Sequence, residues 1–256
     1  MKNNEADGAF LLLIIMGLLS FLFALGVTVW FLTRTAETER NRVEMGTLRS
    51  AASDSHAQEP LTANEIGGSA IVDLAQIQGI ADFDAKMLYI NPHFICWLYI
   101  LGTRVNYPVV RGPDNVKYLD TTFFGEFHHH GALFMDYRNT GAVVPHIIIY
   151  GHNTSDSTKF GSLRYFLQAD FLEAHPYVML HANGIAVRYR IFAARETNVH
   201  DPAYFLDFSA AGSFTAFLER INAPESAAQI LTLSTCLSRG DDDARLIVQA
   251  VLVSEE

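Results

Sequence analysis

Short runs of β-type residues, separated by turn residues, follow one another through most of the chain after residue 93. These runs lie at 94–100, 105–110, 131–137, 143–151, 177–181, 185–195, 229–236 and 245–253. Two helical segments interrupt them, at 161–176 and 213–221, and Ser213 is the expected N-cap of the second. Many short strands with turns between them are typical of a sheet that closes on itself. The sequence therefore predicts a mainly β, α+β domain built on a closed barrel of about eight strands.

Two details of the chain before and within these strands add to this prediction. Residues 66–90 carry apolar residues at helical spacing broken by glycines, which predicts one or two short helices before the barrel. These helices are expected to end at Asn91, because a residue before proline disfavours helix. The run at 105–110 contains Pro108, which suits an edge strand or the start of a strand.

The opposite end of the chain carries a long apolar stretch, residues 9–32, without a single charged side chain. The stretch exceeds the ~20 residues that a helix needs to span a bilayer, and it is longer than the apolar part of a cleavable signal peptide. The sequence thus predicts a transmembrane anchor at 9–32 after a short cytoplasmic N-terminus at 1–8. A polar juxtamembrane linker at 33–62 and a folded domain at 63–256 are expected to follow.

Charge bears on two further questions, the class of partner and the orientation in the membrane. The formal net charge of −10 provides no basic surface for a nucleic acid. Only Lys2 precedes the apolar stretch, whereas Arg34, Arg40, Arg42 and Arg49 follow it. Taken alone, the positive-inside rule favours a cytoplasmic location for the large domain.

Cys236, one of two cysteines, stands where the strand-like run "LTLSTC" gives way to a polar loop. The alternation of Leu with Thr and Ser in this run predicts a half-buried strand. If the last two strands form an antiparallel hairpin, Cys236 faces Arg245 across it. A guanidinium beside a thiol favours the thiolate and can donate hydrogen bonds to an oxyanion. The alternative is that Arg245 only solubilises a strand end or pairs with the aspartates at 241–243.

His152 occupies an equivalent place, directly after the apolar strand of "PHIIIYGHN". Histidine is the side chain best suited to proton transfer near neutral pH. A cysteine, a histidine and an arginine at strand ends would supply a nucleophile, an acid/base and an oxyanion donor. Spacing alone does not show that the three converge.

Several segments, in order along the chain, resemble the signature segments of the sortases, the cysteine transpeptidases of Gram-positive cell surfaces. "IIIYGHN", "LTLSTC" and "DDARLIV" resemble the family as a whole. "NPHFICWLYILGTRVNYPVVRGPDNVKYL", "GALFMDYRN" and "FGSLRYFLQADFLEAHPYVML" resemble class B sortases in particular. The resemblance covers residues 63–256, which it identifies as a catalytic domain with a sortase-type barrel.

By position, the resemblance implies that Cys236 is the nucleophile, His152 the general acid/base, and Arg245 the group that stabilises the oxyanion or substrate. It also implies substrate contacts from a DNxxYL segment, from the position two before the cysteine, and from the specificity loop at 197–206. The residues concerned are Asn115, Leu119, Ser234, Thr197, Tyr204 and Leu206. No cofactor and no metal are expected.

The resemblance further implies a two-step acyl transfer. Cys236 would attack the Thr carbonyl of a C-terminal sorting motif in a secreted protein and form a thioester. An amine of a peptidoglycan cross-bridge, or of its lipid-linked precursor, would then accept the acyl group. Such work requires a single-pass membrane protein with its catalytic domain outside the cell. This location is opposite to the cytoplasmic one that the positive-inside rule favours. The sorting motif, the acceptor and the client proteins are left open.

Three alternatives to wall anchoring remain at this point: a pilin-polymerising transpeptidase, a cysteine hydrolase, and an anchored surface-binding module without catalysis. No lid-like DPW or DPF segment precedes the barrel, which argues against the pilin-polymerising class.

Two features depart from the family pattern. Cys96 replaces a small residue before a Trp-hydrophobic pair, and a packing role is expected for it rather than a disulfide with Cys236. Three consecutive histidines suggest a metal-binding site: His128, His129 and His130. Neighbours in an extended chain point in different directions, so a solvated loop is the expectation instead.

Overall fold

The computed structural model describes residues 78–140, 144–237 and 242–253, together with the isolated residues 16, 23, 25–28, 45, 46 and 48–50, all of which are helical. The chain divides into two compact units, Met1–Ser50 and Ala51–Glu256. Within the described part, no helix has both the length and the apolar character needed to cross a membrane. Most of the predicted anchor, and most of the linker after it, lie outside the described residues.

Eight strands of the second unit form a closed barrel, which confirms the prediction from the β-type runs. The strands are β1 (Phe94–Tyr99), β2 (Asn106–Val110), β3 (Leu133–Met135), β4 (His146–Tyr150), β5 (Tyr177–Ala182), β6 (Ile185–Asn198), β7 (Ile230–Cys236) and β8 (Ala244–Leu252). Around the barrel they follow the order β1-β2-β3-β4-β7-β8-β6-β5, and β5 pairs back with β1. Two neighbouring pairs, β2–β3 and β4–β7, are parallel, and the others are antiparallel.

Among residues 78–253, the described part of this unit contains three α-helices beside the barrel: α1 (Gln78–Ile90), α2 (Ala169–Ala174) and α3 (Ser213–Arg220). Helix α1 ends directly before Asn91, as the following proline predicts, and the earlier part of the predicted helical region lies outside the described residues. A 3-10 helix, Gly161–Leu167, and the short α2 together replace the helix predicted at 161–176.

The start of α3 differs from the prediction by one residue. Gly212 is the N-cap, with φ of 77° in the left-handed region, where glycine is favoured. Ser213 is the first residue inside the helix and makes no capping hydrogen bond there.

Pro108 lies in the middle of β2, between two strands, and not at an edge or a strand start. It pairs with Trp97 of β1, while β3 pairs only with Val109 and Val110. The missing N–H of the proline therefore falls where β3 offers no partner, so an interior position is tolerated.

The half-buried character predicted for β7 is wrong, because every residue from Ile230 to Thr235 is buried. Two polar residues of the strand, Thr232 and Ser234, have hydrogen-bond partners inside the protein, whereas the buried Thr235 hydroxyl has none among the described residues. The Thr232 hydroxyl contacts His146 Nε2 at 2.8 Å and accepts a hydrogen bond from Gln249 at 3.3 Å. Ile230 packs into a cluster with three residues of and after α3, namely Phe217, Leu218 and Ile221. Alternation of Leu with Thr thus marks two buried faces here rather than one.

Candidate active site

The parallel pairing of β4 with β7 brings the predicted histidine and cysteine to one edge of the barrel. Parallel strands run in the same direction, so their carboxyl ends meet at the same edge. Tyr150 pairs with Ser234, and Gly151 extends the pairing by donating its N–H to the Ser234 carbonyl at 3.2 Å. The same register, continued by two residues, places His152 level with Cys236.

Cys236 is the last residue of β7 and the first exposed residue after a fully buried strand. Its thiol is free, and its backbone carbonyl accepts a hydrogen bond of 3.0 Å from the Asn153 side chain. The strand thus holds the backbone in place while the side chain reaches solvent. This arrangement suits a nucleophile that must meet a substrate from outside.

The other cysteine is in the opposite environment. Cys96 is buried in β1 and pairs with Val109, and its thiol is also free. Burial, together with the negative charge of Asp84, raises the pKa of the Cys96 thiol to about 12. At neutral pH this thiol stays protonated and packs as a small apolar side chain, which confirms the packing role predicted for it.

His152 is oriented by a backbone carbonyl that the sequence does not point to. Its Nε2 lies 2.7 Å from the carbonyl oxygen of Leu119. A carbonyl only accepts, so the proton is on Nε2, and Nδ1 is left to exchange a proton with substrate. Gly151 is needed just before it, because a Cβ there would lie 2.3 Å from Leu133 Cδ2 and 2.9 Å from the Phe160 ring.

Arg245 lies opposite Cys236 in the β7–β8 hairpin, as predicted, and opposite Thr197 on the other side, in the β6–β8 pair. Its Nη1 donates to the backbone carbonyl of Asp242 at 2.6 Å rather than to that residue's carboxylate. The guanidinium is thereby tied to its own hairpin turn beside the cysteine. The neighbouring Asp241 lies outside the described residues.

The three predicted catalytic residues line one groove with a volume of about 570 Å³. Four of the six predicted substrate contacts line it as well: Asn115, Leu119, Tyr204 and Ser234. The remaining lining residues, absent from the sequence prediction, are Phe134, Arg138, Tyr150, Gly151, Val199 and Thr235. Within the described residues, Thr197 and Leu206 are not part of this lining.

Thr197 supports the groove from outside it. It belongs to β6 instead of the predicted loop, and its hydroxyl donates to the Asp201 carboxylate. Asp201 also forms an ion pair of 2.8 Å with Arg195 and caps the 3-10 helix Pro202–Tyr204. This helix presents Tyr204 to the groove, where its hydroxyl lies 2.8 Å from the Ser234 hydroxyl.

The polar side of the groove depends on Asp136, which sequence reasoning missed. The carboxylate is fully buried and accepts hydrogen bonds from Asn115 at 3.0 Å, Tyr150 at 2.9 Å and Arg138 at 2.8 and 2.9 Å. Burial acts to raise the pKa of Asp136, but the hydrogen bonds outweigh it and hold the pKa below its usual value. In the sequence, this residue could be recognised as an acid that directly follows a run of apolar strand residues, in "LFMD".

The three consecutive histidines converge, contrary to the prediction. One ligand atom from each of His128, His129 and His130 lies within 4.8 Å of the others. The chain is not extended there, because the Gly131 N–H donates back to the His128 carbonyl at 2.8 Å and closes a turn. The His130 ring centroid lies 6.5 Å from that of His152, so the cluster borders the candidate active site.

Comparison with known proteins agrees with this geometry. A family model for the sortase domain matches residues 98–253, which is more than half of the chain. Sortase B of Listeria monocytogenes is 32% identical over 177 residues, which cover 65% of this chain and 72% of that protein. Sortase B of Staphylococcus aureus is 31% identical over 169 residues, covering 62% of this chain and 69% of that protein.

The barrel is also found in solved structures. A crystal structure of a mutant form of Clostridium perfringens sortase B superposes with a TM-score of 0.67 at 25% identity. The match covers 82% of this chain and 97% of that one. The chain therefore belongs to the sortase family of transpeptidases, and sortase B proteins are its relatives in both sequence and structure.

Proposed function

We propose that this chain is a membrane-anchored class B sortase that joins secreted proteins to a peptidoglycan amine through a cysteine thioester. Cys236 is the nucleophile, His152 the general acid/base, and Arg245 the donor that stabilises the oxyanion or the bound peptide. The observation that carries the proposal is the meeting of these three residues in one groove, through the β4–β7 register and the β7–β8 hairpin.

In the first step, the Cys236 thiolate attacks the carbonyl carbon of the Thr in the sorting motif. The C–N bond after the Thr then breaks, and His152 gives its proton to the leaving amine. The Leu119 carbonyl holds Nε2–H of His152, so the proton passes through Nδ1. The guanidinium of Arg245 donates to the oxygen that carries negative charge in the tetrahedral intermediate.

In the second step, the incoming amine attacks the thioester carbon while His152 takes the proton that the amine loses. The C–S bond breaks, the thiolate of Cys236 returns, and an amide replaces the original peptide bond. The reaction needs no energy source, because one amide is exchanged for another. The acceptor is an amine of a peptidoglycan cross-bridge or of its lipid-linked precursor.

The groove suits a peptide with both apolar and polar side chains. Leu119 and Phe134 offer apolar surface, while Asn115, Tyr204 and Ser234 offer amide and hydroxyl groups. Such a mixture, with a few convergent polar groups on an apolar wall, is typical of sites that fix the orientation of a small ligand. The sorting motif therefore lies along this groove with its Thr carbonyl at Cys236.

The direct test uses the full-length chain in detergent, incubated with peptides of the NPxTN, SPxTG and LPxTG types, with and without amine acceptors. Mass spectrometry should find a thioester on Cys236 with one motif, and an amide product when the matching acceptor is added. The matched pair of variants is Cys236→Ala and Cys96→Ala, which remove one each of the two cysteines.

We expect Cys236→Ala to lose all cleavage and Cys96→Ala to retain the adduct. Cleavage by Cys236→Ala, or no adduct with any peptide in the folded and reduced wild-type chain, would contradict the proposal. The reaction products also distinguish the proposed function from a hydrolase and from a pilin-polymerising enzyme. Release of acid alone, even with acceptors present, indicates a hydrolase, and preference for a pilin lysine over cross-bridge amines indicates pilus assembly.

A further inference from the structure

The cluster of His128, His129 and His130 lies in the loop between the 3-10 helix Lys117–Leu119 and β3, and the proposed reaction does not use it. The rings crowd together: His128 and His129 stack with centroids 4.5 Å apart, and the His129 and His130 centroids are 4.1 Å apart. His128 and His130 are half-buried, whereas His129 is exposed. Three imidazoles in one place are a donor set that suits zinc, copper and nickel.

Backbone hydrogen bonds hold the loop under the cluster in a single turn. The His128 N–H donates to the Asp120 carbonyl at 2.8 Å, and the Gly131 N–H donates to the His128 carbonyl at 2.8 Å. Gly131 has φ of 44°, and a Cβ there would lie only 2.1 Å from the Tyr118 carbonyl oxygen. The turn therefore needs glycine, and it holds the three histidines on a backbone that is already folded, which lowers the entropy cost of binding an ion.

The orientation of one ring and the nearby charges also bear on metal binding. The His130 N–H donates to Nδ1 of His128 at 3.1 Å and occupies the lone pair of this nitrogen, so Nε2 of His128 is the nitrogen left for a metal ion and loses its proton when the ion binds. Lys159 donates to the Gly131 carbonyl at 2.8 Å, so its positive charge lies against this loop and opposes a cation there.

We propose that His128, His129 and His130 form a binding site for a divalent transition-metal ion of the zinc class, at the rim of the groove beside His152. Zinc–nitrogen bonds of about 2.0–2.1 Å place tetrahedral ligand atoms about 3.4 Å apart. The ligand atoms, now within 4.8 Å of one another, must close by about 1.4 Å at most. Rotation of these partly exposed side chains supplies this movement, and water completes an open site with three protein ligands.

The position of the site has a consequence for the groove. The His130 and His152 ring centroids are 6.5 Å apart, so a bound dication lies close to the proposed acid/base. Binding itself does not depend on whether the chain catalyses acyl transfer, so the two proposals can fail separately.

The test is calorimetric titration of Zn²⁺ into the full-length chain, in detergent, without a polyhistidine tag and in a buffer that does not chelate. All proteins carry Cys236→Ala, because a thiolate at the groove would itself bind zinc. The cluster variants are His129→Ala and the double variant His128→Gln with His130→Gln. His200→Ala, an exposed histidine on another loop, is the matched control.

We expect one zinc ion per chain, with the affinity reduced by roughly 10- to 100-fold or more in both cluster variants, since loss of even a supporting group has that effect. His200→Ala should bind as the parent does. Near-UV circular dichroism of each variant confirms that it is folded. Equal affinity in parent and cluster variants, or no binding by the folded parent, would overturn the proposal.

Discussion

Among single residues, Asp136 has the greatest influence on the polar side of the groove. It is a charged group without solvent exposure, and it remains tolerable because every hydrogen-bond position is used. Arg138 supplies a two-point interaction, and Asn115 and Tyr150 are held by the same carboxylate. All three of these partners line the groove, so one buried acid positions three groups around the substrate.

Asp136→Asn should therefore destabilise the fold and weaken peptide binding. The amide keeps the size but loses the charge, and its NH₂ cannot accept from Arg138 or Tyr150. We expect the free energy of unfolding to fall by about 1–3 kcal/mol, measured by urea denaturation, and KM to rise more than kcat falls. Asp170→Asn, at an exposed acid of α2, should stay within about 0.5 kcal/mol of wild type. Equal effects of the two substitutions would contradict this role for Asp136.

At the scale of elements, β4 and β7 are joined at their beginning by a buried histidine. His146 is fully buried; its Nδ1–H donates to the Phe205 carbonyl at 2.9 Å, and its Nε2 accepts from the Thr232 hydroxyl at 2.8 Å. The two bonds satisfy the neutral ring completely. Burial lowers the pKa of His146 to about 4. The parallel pair that carries the candidate active site at one end is thus stabilised by a neutral imidazole at the other.

Acid should weaken the fold in a window set by this residue. Above pH ~6.5 His146 is neutral in both folded and unfolded chains, so it adds no pH dependence. Between about 6.5 and 4 only the unfolded chain takes the proton, so stability falls as the pH falls, by about 3 kcal/mol in total. His181, also buried with a lowered pKa, adds to the same slope. Urea unfolding at several pH values measures the effect.

His146→Gln is the variant that checks this assignment. It should be less stable than wild type at neutral pH, because it loses the two buried hydrogen bonds, but its stability should change less between pH ~6.5 and ~4. His200→Gln, at an exposed position, should keep the full wild-type slope. An unchanged slope in His146→Gln would show that other groups carry the acid sensitivity.

At the scale of the whole molecule, closure of the barrel determines which parts of the chain are accessible. Every strand of the barrel pairs on both sides, so it presents no open edge to other chains. The two cysteines lie in opposite environments within the barrel. Cys96 is buried in β1, and Cys236 is exposed at the mouth of the groove.

The proposed location outside the cell predicts the labelling pattern of these thiols. A membrane-impermeant maleimide added to intact cells should label wild-type chain at Cys236, because this thiol is exposed and faces the outside. Cys236→Ala should remain unlabelled until the protein is denatured, since Cys96 is buried. Mass spectrometry identifies the labelled residue. Labelling of Cys236 only after the cells are lysed would place the domain in the cytoplasm and contradict the proposal.

Much of this arrangement follows from sequence patterns that act over a few residues. The β-type runs predicted all eight strands, and Asn91-Pro92 marked the end of α1. The hairpin between β7 and β8 could be predicted down to the pairing of Cys236 with Arg245, because only eight residues separate them. The half-buried character predicted for β7 was wrong because residues of and after α3 pack against the strand. The cap of α3 differed by one residue because the backbone before Ser213 is left-handed, which favours glycine.

By itself, the sequence determined the strands, the hairpin and the residue types at the strand ends, since these depend on local backbone preference and the alternation of side chains. Only the tertiary structure decided that β4 lies parallel to β7, which brings His152 level with Cys236 across a long stretch of intervening chain. Only the tertiary structure places the Leu119 carbonyl against His152 and buries Asp136. It also brings His128 together with its two neighbours. Such contacts depend on how the whole barrel closes, and no short pattern encodes that.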